Sequence, residues 1–477
     1  MDMPTPGAAK DRAASALHLR LLRLQRRLVA DGRGAVVLIG GNDRLAASGF
    51  ANRLQEWLDA RLVEVCAPLA DDPCHGGRPF LWPYWVRMPA KGRITLVVGD
   101  WVTRTALEAA RGTLDKAALR ERLRSLRQFE ELLLADGVAL AKVWVSTPRK
   151  SLRRRQRDDE DGEAEGWSVT KDDLLLADGA AARIAEDCRR LASPAGHGWR
   201  AAPGAEAKSR DLAAGRIVAD QLARARARFP KPRQASRLRP RGLLEAVAHE
   251  ELPREEYSRL IRKWQVRLGH LTRIAARRGI PTVVVLEGPD AAGKGGVTRR
   301  LAALMDASHL AVHPTPAPTP EEKARHYLWR FWTKVPAAGR MAVFDRSWHG
   351  RVLVERVEGF CKPVEWQRAY AEINAFEARM AEAGAVVLKF WLHLSKEEQL
   401  RRFRLRWDSP HKRHKMTKED ERNRAKWDVH LEAAEDMVAR TDTPHAPWHV
   451  IPADDKRAAR VTVLRTLARA LADRLER

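Results

Sequence analysis

Apolar residues along the chain follow two patterns, short continuous runs and helical spacing, and these predict buried strands and helices. A run rich in β-branched residues at 282–286, and apolar runs at 35–39 and 341–344, are typical of buried parallel strands. Over 255–278 the apolar positions recur at helical spacing and end in a basic pair followed by Gly279, which predicts a helix that ends there. The predicted fold class is therefore α/β.

The chain also repeats itself at an offset of 247 residues. Residues 81–101 read LWPYWVRMPAKGRITLVVGDW, residues 328–348 read LWRFWTKVPAAGRMAVFDRSW, and eight positions match. The same offset places Lys142 on Lys389, and an offset two residues longer places Trp199 on Trp448. Compositional similarity between helices would not keep Trp and Gly in register, so we interpret the chain as two copies of one domain.

A segment rich in proline and basic residues separates the two copies. It reads FPKPRQASRLRPR from Phe229 to Arg241, between two helical patterns. This predicts a degenerate first domain over 1–228, a linker over 229–245 and a catalytic second domain over 246–477. Each domain is long enough to bury one core.

The second copy carries a phosphate-binding motif. G-x-x-x-x-G-K follows the strand at 282–286, and a helical pattern resumes at Val297. In this context glycines let backbone N–H groups point at phosphate oxygens, and the lysine reaches the transferred phosphoryl group. The predicted phosphate-binding residues are Gly288, Gly293, Lys294, Gly295 and Gly296.

One departure from the usual motif indicates how a metal would be held. The Ser or Thr that ordinarily ligates Mg²⁺ after the lysine is Gly295 here. Carboxylates could replace it, namely Asp290 in the loop and Asp345 at the end of the next buried strand. We expect Mg²⁺ there, with Mn²⁺ able to substitute. The structural alternative for Asp345 is a helix cap or an ion pair with Arg346.

The first copy lacks these residues. In the sequence alignment Lys294 falls on Ala46, Asp290 falls on Asn42, and 345–346 fall on Val98-Gly99. Residues that build the fold persist while those that handle phosphate are gone. We therefore expect the first copy to be catalytically silent.

Charge and composition narrow the class of partner and compartment. The formal net charge is +25, which implies a polyanionic partner such as nucleic acid, an anionic membrane or a phosphate polymer. A membrane span is not expected, because no apolar run reaches 18 residues. Met1 to Asp11 lacks the apolar core of a secretory signal, and the four cysteines do not form paired CxxC spacing. We expect a cytoplasmic protein.

Basic residues cluster after the motifs of the second copy. A charge run is usually a solvated face, but the run from Leu400 to Lys418 falls where small nucleotide kinases place a mobile lid. The candidates for a basic channel and lid are Arg330, Arg351, Arg356, Arg404, Arg406, Lys412, Arg413 and Lys415.

Four motifs together resemble the polyphosphate kinase 2 family. They are VVVLEGPDAAGKGG, FDRSWHGRVLVERVEGF, the lid stretch SPHKRHKMTKED and the late APWHVIPADDKRAAR. Two fused copies, with only the second intact, resemble the two-domain class of that family, the polyphosphate:AMP phosphotransferases. His349 departs from the pattern, since many relatives have Tyr there.

The resemblance implies tandem P-loop kinase-like domains, each a parallel sheet between helices with a helical lid. It implies Mg²⁺-dependent transfer of the terminal phosphoryl group of inorganic polyphosphate to AMP, giving ADP. Carried over by position, the catalytic residues are Asp290, Lys294, Asp345 and Arg346, with Asp290 and Asp345 as metal ligands.

Several alternatives stay open at this point. The acceptor could be ADP or GDP within the same family. An ATP-dependent monophosphate kinase would share the loop but would ordinarily keep Ser or Thr at position 295. A nucleic-acid-binding protein would use the charge, yet its expected pattern of interleaved exposed aromatics is missing from the sequence. We expect no specific nucleic-acid partner and no membrane partner, and a homo-oligomer stays open.

Overall fold

The computed structural model describes residues 6–68, 75–160, 168–225, 244, 251–408 and 418–476. Two compact units contain them. The N-terminal unit takes the described residues of 1–73, 83–230 and 320–326, and the C-terminal unit takes those of 74–82, 231–319 and 327–477. Except for Leu244, the predicted linker 229–245 lies outside the described residues. None of the helices in the described ranges is long and apolar enough to cross a membrane.

The N-terminal unit is built on a five-stranded parallel sheet of order β2-β3-β1-β4-β5. Its strands are β1 Ala35–Gly41, β2 Val63–Cys66, β3 Ile94–Val98, β4 Ala139–Ser146 and β5 Arg200–Pro203. The helices described in the first half of the chain are α1 Pro6–Ala30, α2 Arg44–Trp57, α3 Trp82–Trp85, α4 Trp101–Ala110, α5 Lys116–Ala135, α6 Arg149–Glu160, α7 Lys171–Leu176, α8 Gly179–Leu191 and α9 Ala207–Arg224.

The C-terminal unit has a sheet of the same topology, in the order β7-β8-β6-β9-β10, and again all pairs are parallel. Its strands are β6 Thr282–Glu287, β7 Leu310–Pro314, β8 Met341–Asp345, β9 Val386–His393 and β10 Trp448–Pro452. The helices described in the second half of the chain are α10 Arg254–Arg277, α11 Lys294–Ala302, α12 Pro320–Lys323, α13 Trp329–Trp332, α14 Val354–Val357, α15 Pro363–Glu382, α16 Lys396–Trp407, α17 Lys418–Ala425, α18 Trp427–Thr441 and α19 Lys456–Glu476.

The central strands of both sheets are buried, which explains why their sequences are continuous apolar runs. Every residue of β6 is buried, as is all of β3. In β6 the register sets Leu286 beside Asp345 of β8 and Glu287 beside Trp391 of β9. Because the strands are parallel, their carboxyl ends meet at one edge of the sheet, where functional side chains of α/β proteins collect.

The predicted repeat is confirmed by the matching sheets and by a buried ion pair at the same place in each unit. Lys142 Nζ lies 2.7 Å from a Glu130 carboxylate oxygen, and Lys389 Nζ lies 2.6 Å from Glu377. All four side chains are fully buried. The same glutamate also accepts a hydrogen bond from an indole N–H, donated by Trp101 in one unit and Trp348 in the other.

The structure also pairs residues that lie later in the two copies. The lysine ammonium faces the ring of Trp199 in one unit and of Trp448 in the other, at 5.8 and 5.0 Å from the ring centroid. These two tryptophans are the pair that the longer offset aligned. Helices α6 and α16 begin 247 residues apart, so Leu152 corresponds to the buried Gln399.

Candidate functional site

The predicted phosphate-binding loop joins β6 to α11, and two glycines make its path possible. Gly288 has φ 141°, and a Cβ there would lie 2.5 Å from the carbonyl oxygen of Leu392. Gly293 has φ 114° and immediately precedes the first residue of α11. Side chains are strained in this backbone region, so glycine is required at both positions. The loop thereby turns directly into the amino end of the helix, where N–H groups favour anions.

Lys294, the first residue of α11, turns back into the loop. Its ammonium donates to the carbonyl oxygens of Gly288 and Pro289 at 2.7 and 3.1 Å. Burial lowers the pKa of Lys294 and the neighbouring Arg346 lowers it further, against the opposing charge of Asp290. The loop therefore holds a desolvated cation beside a second cation, and a phosphate group would neutralise both.

Asp290 and Arg346 form an ion pair between the loop and the end of β8. The guanidinium Nη2 lies 2.5 Å from Asp290 Oδ1, and the amide of Asn423 donates to Oδ2 at 2.9 Å. Burial alone would raise the pKa of Asp290, but Lys294, Arg346 and the Asn423 hydrogen bond outweigh it and lower the pKa. Asp290 is therefore an anion at neutral pH and fixes the direction of Arg346.

The residues at this edge of the sheet fit a magnesium ion bound together with phosphate. Asp345 ends β8, is half-buried, and lies near enough for its charge to act on Lys294. In the described ranges, no group of three or more His, Cys, Asp or Glu side chains is arranged to hold a metal. One or two carboxylates completed by phosphate oxygens and water are the usual Mg²⁺ site, and Asp345 with Asp290 would supply those carboxylates.

The basic residues predicted for a channel fall into three groups. The first group has protein partners: Arg330 donates to the Pro316 carbonyl at 3.1 Å, Arg351 pairs with Glu355 at 3.0 Å, and Arg356 pairs with Asp436 at 2.7 Å. The second group lies on α16, with an exposed Arg404 and a half-buried Arg406. The third group, Lys412, Arg413 and Lys415, lies outside the described residues. Their part in polyphosphate binding stays a prediction.

Several residues that shape the loop carry no sequence signal of their own. Gln399 donates to the backbone carbonyl of Asp290 at 3.1 Å. Arg402 is buried and donates to the carbonyls of Ala291 and Ala292 at 2.9 and 3.2 Å. The guanidinium of Arg460 lies beside Gly296, where a Cβ would approach it to 3.2 Å. These side chains come from α16 and α19, more than a hundred residues along the chain, so only the fold brings them to the loop.

The corresponding loop of the N-terminal unit is closed by its own side chains. The Asn42 amide exchanges hydrogen bonds with the backbone of Thr147 at 3.0 and 2.9 Å. Asp43 is buried, caps α2, and accepts from Thr147 Oγ1 and Arg155 at 2.7 and 2.9 Å. Both side chains of this short turn thus have partners within the unit. The structure supports the prediction that this copy does not handle phosphate.

The alignment of the two loops differs by one residue from the sequence alignment. A Cβ on Gly41 would lie 2.1 Å from the Val145 carbonyl oxygen, which is the close approach that Gly288 makes to Leu392. Gly41 therefore corresponds to Gly288, and Asp43 stands where Asp290 does. The sequence alignment had placed Asn42 there, because it set Gly40, the first glycine of the turn, on Gly288. The structure also shows that α2 begins three residues earlier in its loop than α11 does.

Comparisons with known proteins agree with this geometry. A family model described as polyphosphate kinase 2 (PPK2) matches residues 7–181 and 251–477. A polyphosphate:AMP phosphotransferase of Pseudomonas aeruginosa is 37% identical over 96% of this chain and 94% of its own length. One of Acinetobacter johnsonii is 36% identical over 93% of this chain and 92% of its own length. The crystal structure of a Pseudomonas aeruginosa PA01 protein described as a polyphosphate kinase 2 superposes with a TM-score of 0.85, at 36% identity, covering 100% of this chain and 97% of that one.

Proposed function

The chain belongs to the polyphosphate kinase 2 family, and on that premise we propose that it transfers the terminal phosphoryl group of inorganic polyphosphate to AMP, giving ADP. The choice of AMP as the acceptor rests on how much of this chain each kind of relative matches. Relatives named polyphosphate:AMP phosphotransferase match 92–96% of this chain, both copies included. A relative named ADP-polyphosphate phosphotransferase and one named GDP-polyphosphate phosphotransferase match 46% of it.

Lys294 and Arg346 would act on the transferred group. In the reaction, the bond between the terminal phosphorus and its bridging oxygen breaks, and an oxygen of the AMP phosphate forms the new bond to phosphorus. Polyphosphate leaves one residue shorter, and its bridging oxygen keeps the electron pair. Negative charge spreads over the equatorial oxygens meanwhile, and two cations held at the loop stabilise it.

The acceptor requires little from the protein besides position. The AMP phosphate is already anionic near neutral pH, so no strong general base is required. Mg²⁺, when bound, would neutralise charge on the phosphate oxygens, and Asp345 and Asp290 are the residues we propose to hold it. Lys294 and Arg346 keep Asp290 in its anionic form, which is the form that a metal ligand needs, and this supports the assignment.

The other proposals concern the first copy and the compartment. We propose that the N-terminal unit is silent, which its closed loop at Asn42 and Asp43 supports. We also propose a cytoplasmic location. The cysteines of the described ranges, Cys66, Cys188 and Cys361, are free thiols, which supports a reducing compartment. A homo-oligomer stays a prediction.

A donor–acceptor grid tests the function. AMP, ADP and GDP are each incubated with polyphosphate or with ATP, in Mg²⁺, and nucleotides are separated by chromatography. We expect ADP from AMP only when polyphosphate is the donor. Triphosphates formed faster from ADP or GDP than ADP from AMP would favour the diphosphate-kinase alternative, and ADP formed only from ATP with AMP would favour an ATP-dependent kinase. Repeating the active pair in EDTA, then with Mg²⁺ or Mn²⁺ added back, tests the metal.

A further inference from the structure

A buried carboxylate links the strand before the predicted phosphate-binding loop to the turn that carries Arg346. Glu287 is the last residue of β6, directly before the phosphate-binding loop, and only 4% of it is exposed. Its Oε1 accepts two hydrogen bonds from Ser347, one from the backbone N–H and one from the hydroxyl, each at 2.8 Å. Ser347 belongs to the turn after β8. One side chain thus ties the loop strand to the neighbouring turn.

That turn holds Arg346 in a strained conformation. Arg346 has φ 62°, a left-handed backbone that is strained for an L residue with a side chain. Its N–H donates to the Leu286 carbonyl at 3.1 Å, and its own carbonyl accepts from Thr315 Oγ1 at 2.7 Å. With the next residue fixed on Glu287, the backbone on both sides of Arg346 is held. This aims the guanidinium at Asp290.

The N-terminal unit keeps the same turn but without the arginine. Gly99 occupies the position of Arg346 and has φ 68°. Glycine adopts this backbone without strain, so the turn itself belongs to the fold. A strained arginine at this position is found in the copy that has the intact phosphate-binding loop, and strain of this kind clusters at functional sites.

The buried carboxylate comes from a different segment in each unit. Gly40 stands at the position of Glu287, and Asp100 stands at the position of Ser347. A Cβ on Gly40 would lie 2.7 Å from Asp100 Oδ2, so the aspartate occupies that space. Asp100 accepts from backbone N–H groups at the start of α4 and from Thr103 Oγ1. In the silent copy the carboxylate caps its own helix, and the link between the two strand ends is lost.

We propose that Glu287 and Ser347 are positioning residues for phosphoryl transfer. They act by fixing the backbone of Arg346, so that its guanidinium stays beside the loop at Asp290. The inference rests on the proposed function, since it needs a transferred phosphoryl group for Arg346 to meet. A purely structural carboxylate can come from the turn after the neighbouring strand, as Asp100 does. A carboxylate that couples the loop to the arginine must come from the loop strand, as Glu287 does.

Steady-state kinetics of Glu287→Ala with polyphosphate and AMP test the proposal. A misplacement of about 1 Å can cost about 100-fold in rate, so we expect kcat to fall about 100-fold while KM for AMP stays within about threefold. Glu287→Gln keeps an oxygen that can accept both hydrogen bonds, and we expect it to retain kcat within about fivefold. Ser347→Ala keeps the N–H bond and loses the hydroxyl bond, so we expect about a tenfold loss.

Two comparisons separate positioning from stability. Asp100→Ala removes the matched buried carboxylate of the silent copy, and we expect a lower thermal midpoint with kcat within about twofold of wild type. In an Arg346→Ala background, Glu287→Ala should add less than about a threefold loss, because the residue it positions is already gone.

Equal losses of kcat in Glu287→Ala and Asp100→Ala, or a full 100-fold loss from Glu287→Ala in the Arg346→Ala background, would overturn the proposal. So would Glu287→Ala with wild-type kcat. If Glu287→Ala does not fold, the same comparisons are made with Ser347→Ala, and its expected tenfold loss replaces the 100-fold loss. Failure of the wild-type protein to form ADP from AMP and polyphosphate would instead overturn the proposed function.

Discussion

Replacing Lys389 by methionine removes one charge from the fully buried pair with Glu377. The variant leaves the Glu377 carboxylate with its Trp348 hydrogen bond and with His349 Nε2 at 3.3 Å, an imidazole that burial keeps neutral. It removes the lysine charge, the largest of the contributions that hold the pKa of Glu377 below the ordinary 4.5 against burial. The carboxyl would then bind a proton in the folded state. Protonating a group of pKa 4.5 at pH 7 takes about 3 kcal/mol, and at pH 5 about 0.7 kcal/mol. The Thr441 carbonyl, which accepts a hydrogen bond from Lys389 at 2.5 Å, loses its donor as well. This loss lowers the free energy of unfolding by about 1 kcal/mol more.

The assay is guanidinium unfolding at pH 5, 6 and 7, with hydrogen exchange resolved on peptides of β9 so that the two units are followed separately. We expect a loss of about 4 kcal/mol at pH 7 that shrinks by about 1.4 kcal/mol per pH unit as the pH falls. The Glu377→Gln, Lys389→Met double variant should recover most of the stability. Lys142→Met is the matched control and should destabilise β4 in the other unit. A loss below about 1 kcal/mol at pH 7, or one independent of pH, would show that Glu377 does not take up a proton when Lys389 is removed.

Three further predictions follow from single side chains. Burial lowers the pKa of His349 to about 4, so between pH 6.5 and 4 the unfolded chain binds a proton that the folded chain excludes. The free energy of unfolding should therefore fall by up to about 3 kcal/mol on acidification through this range. Chemical denaturation of His349→Gln at the same pH values should lack this part of the fall. Asn42→Ala should keep kcat within about twofold while lowering the thermal midpoint, and a tenfold loss of kcat would mean that the first copy is not silent. Burial raises the pKa of the Cys66 thiol to about 12. At pH 8 the rate of its modification by Ellman's reagent should therefore equal the rate at which the N-terminal unit opens by unfolding. Rapid labelling of the native protein would contradict this.

Local pattern was sufficient to predict the phosphate-binding loop and the repeat. The loop needs glycine where a Cβ would strike Leu392, and it needs a lysine at the start of α11; both requirements are visible in consecutive residues. The repeat was visible because tryptophan and glycine positions that build the core must keep their spacing. Such constraints act over a few residues, and the sequence therefore shows them directly.

Contacts made through the fold could not be predicted in this way. Asn423 reaches Asp290 across 133 residues, and the partner of Arg356 lies 80 residues away at Asp436. A run of basic residues does not reveal which of them already have carboxylate partners. Glu287 had one available signal, a single charged residue at the end of an otherwise apolar strand, but the role of that charge depends on which strand lies beside it.

Phosphoryl transfer from polyphosphate to AMP at this loop is tested most directly by ³¹P NMR. AMP is mixed with polyphosphate and Mg²⁺ in the absence of ATP, with the wild-type protein or with Lys294→Ala. We expect the β-phosphorus signal of ADP to grow with the wild-type protein while terminal polyphosphate residues are consumed. Lys294→Ala, folded by circular dichroism, should produce no ADP on the same timescale. Growth of free inorganic phosphate without ADP, or equal ADP formation by both proteins, would contradict phosphoryl transfer at this loop.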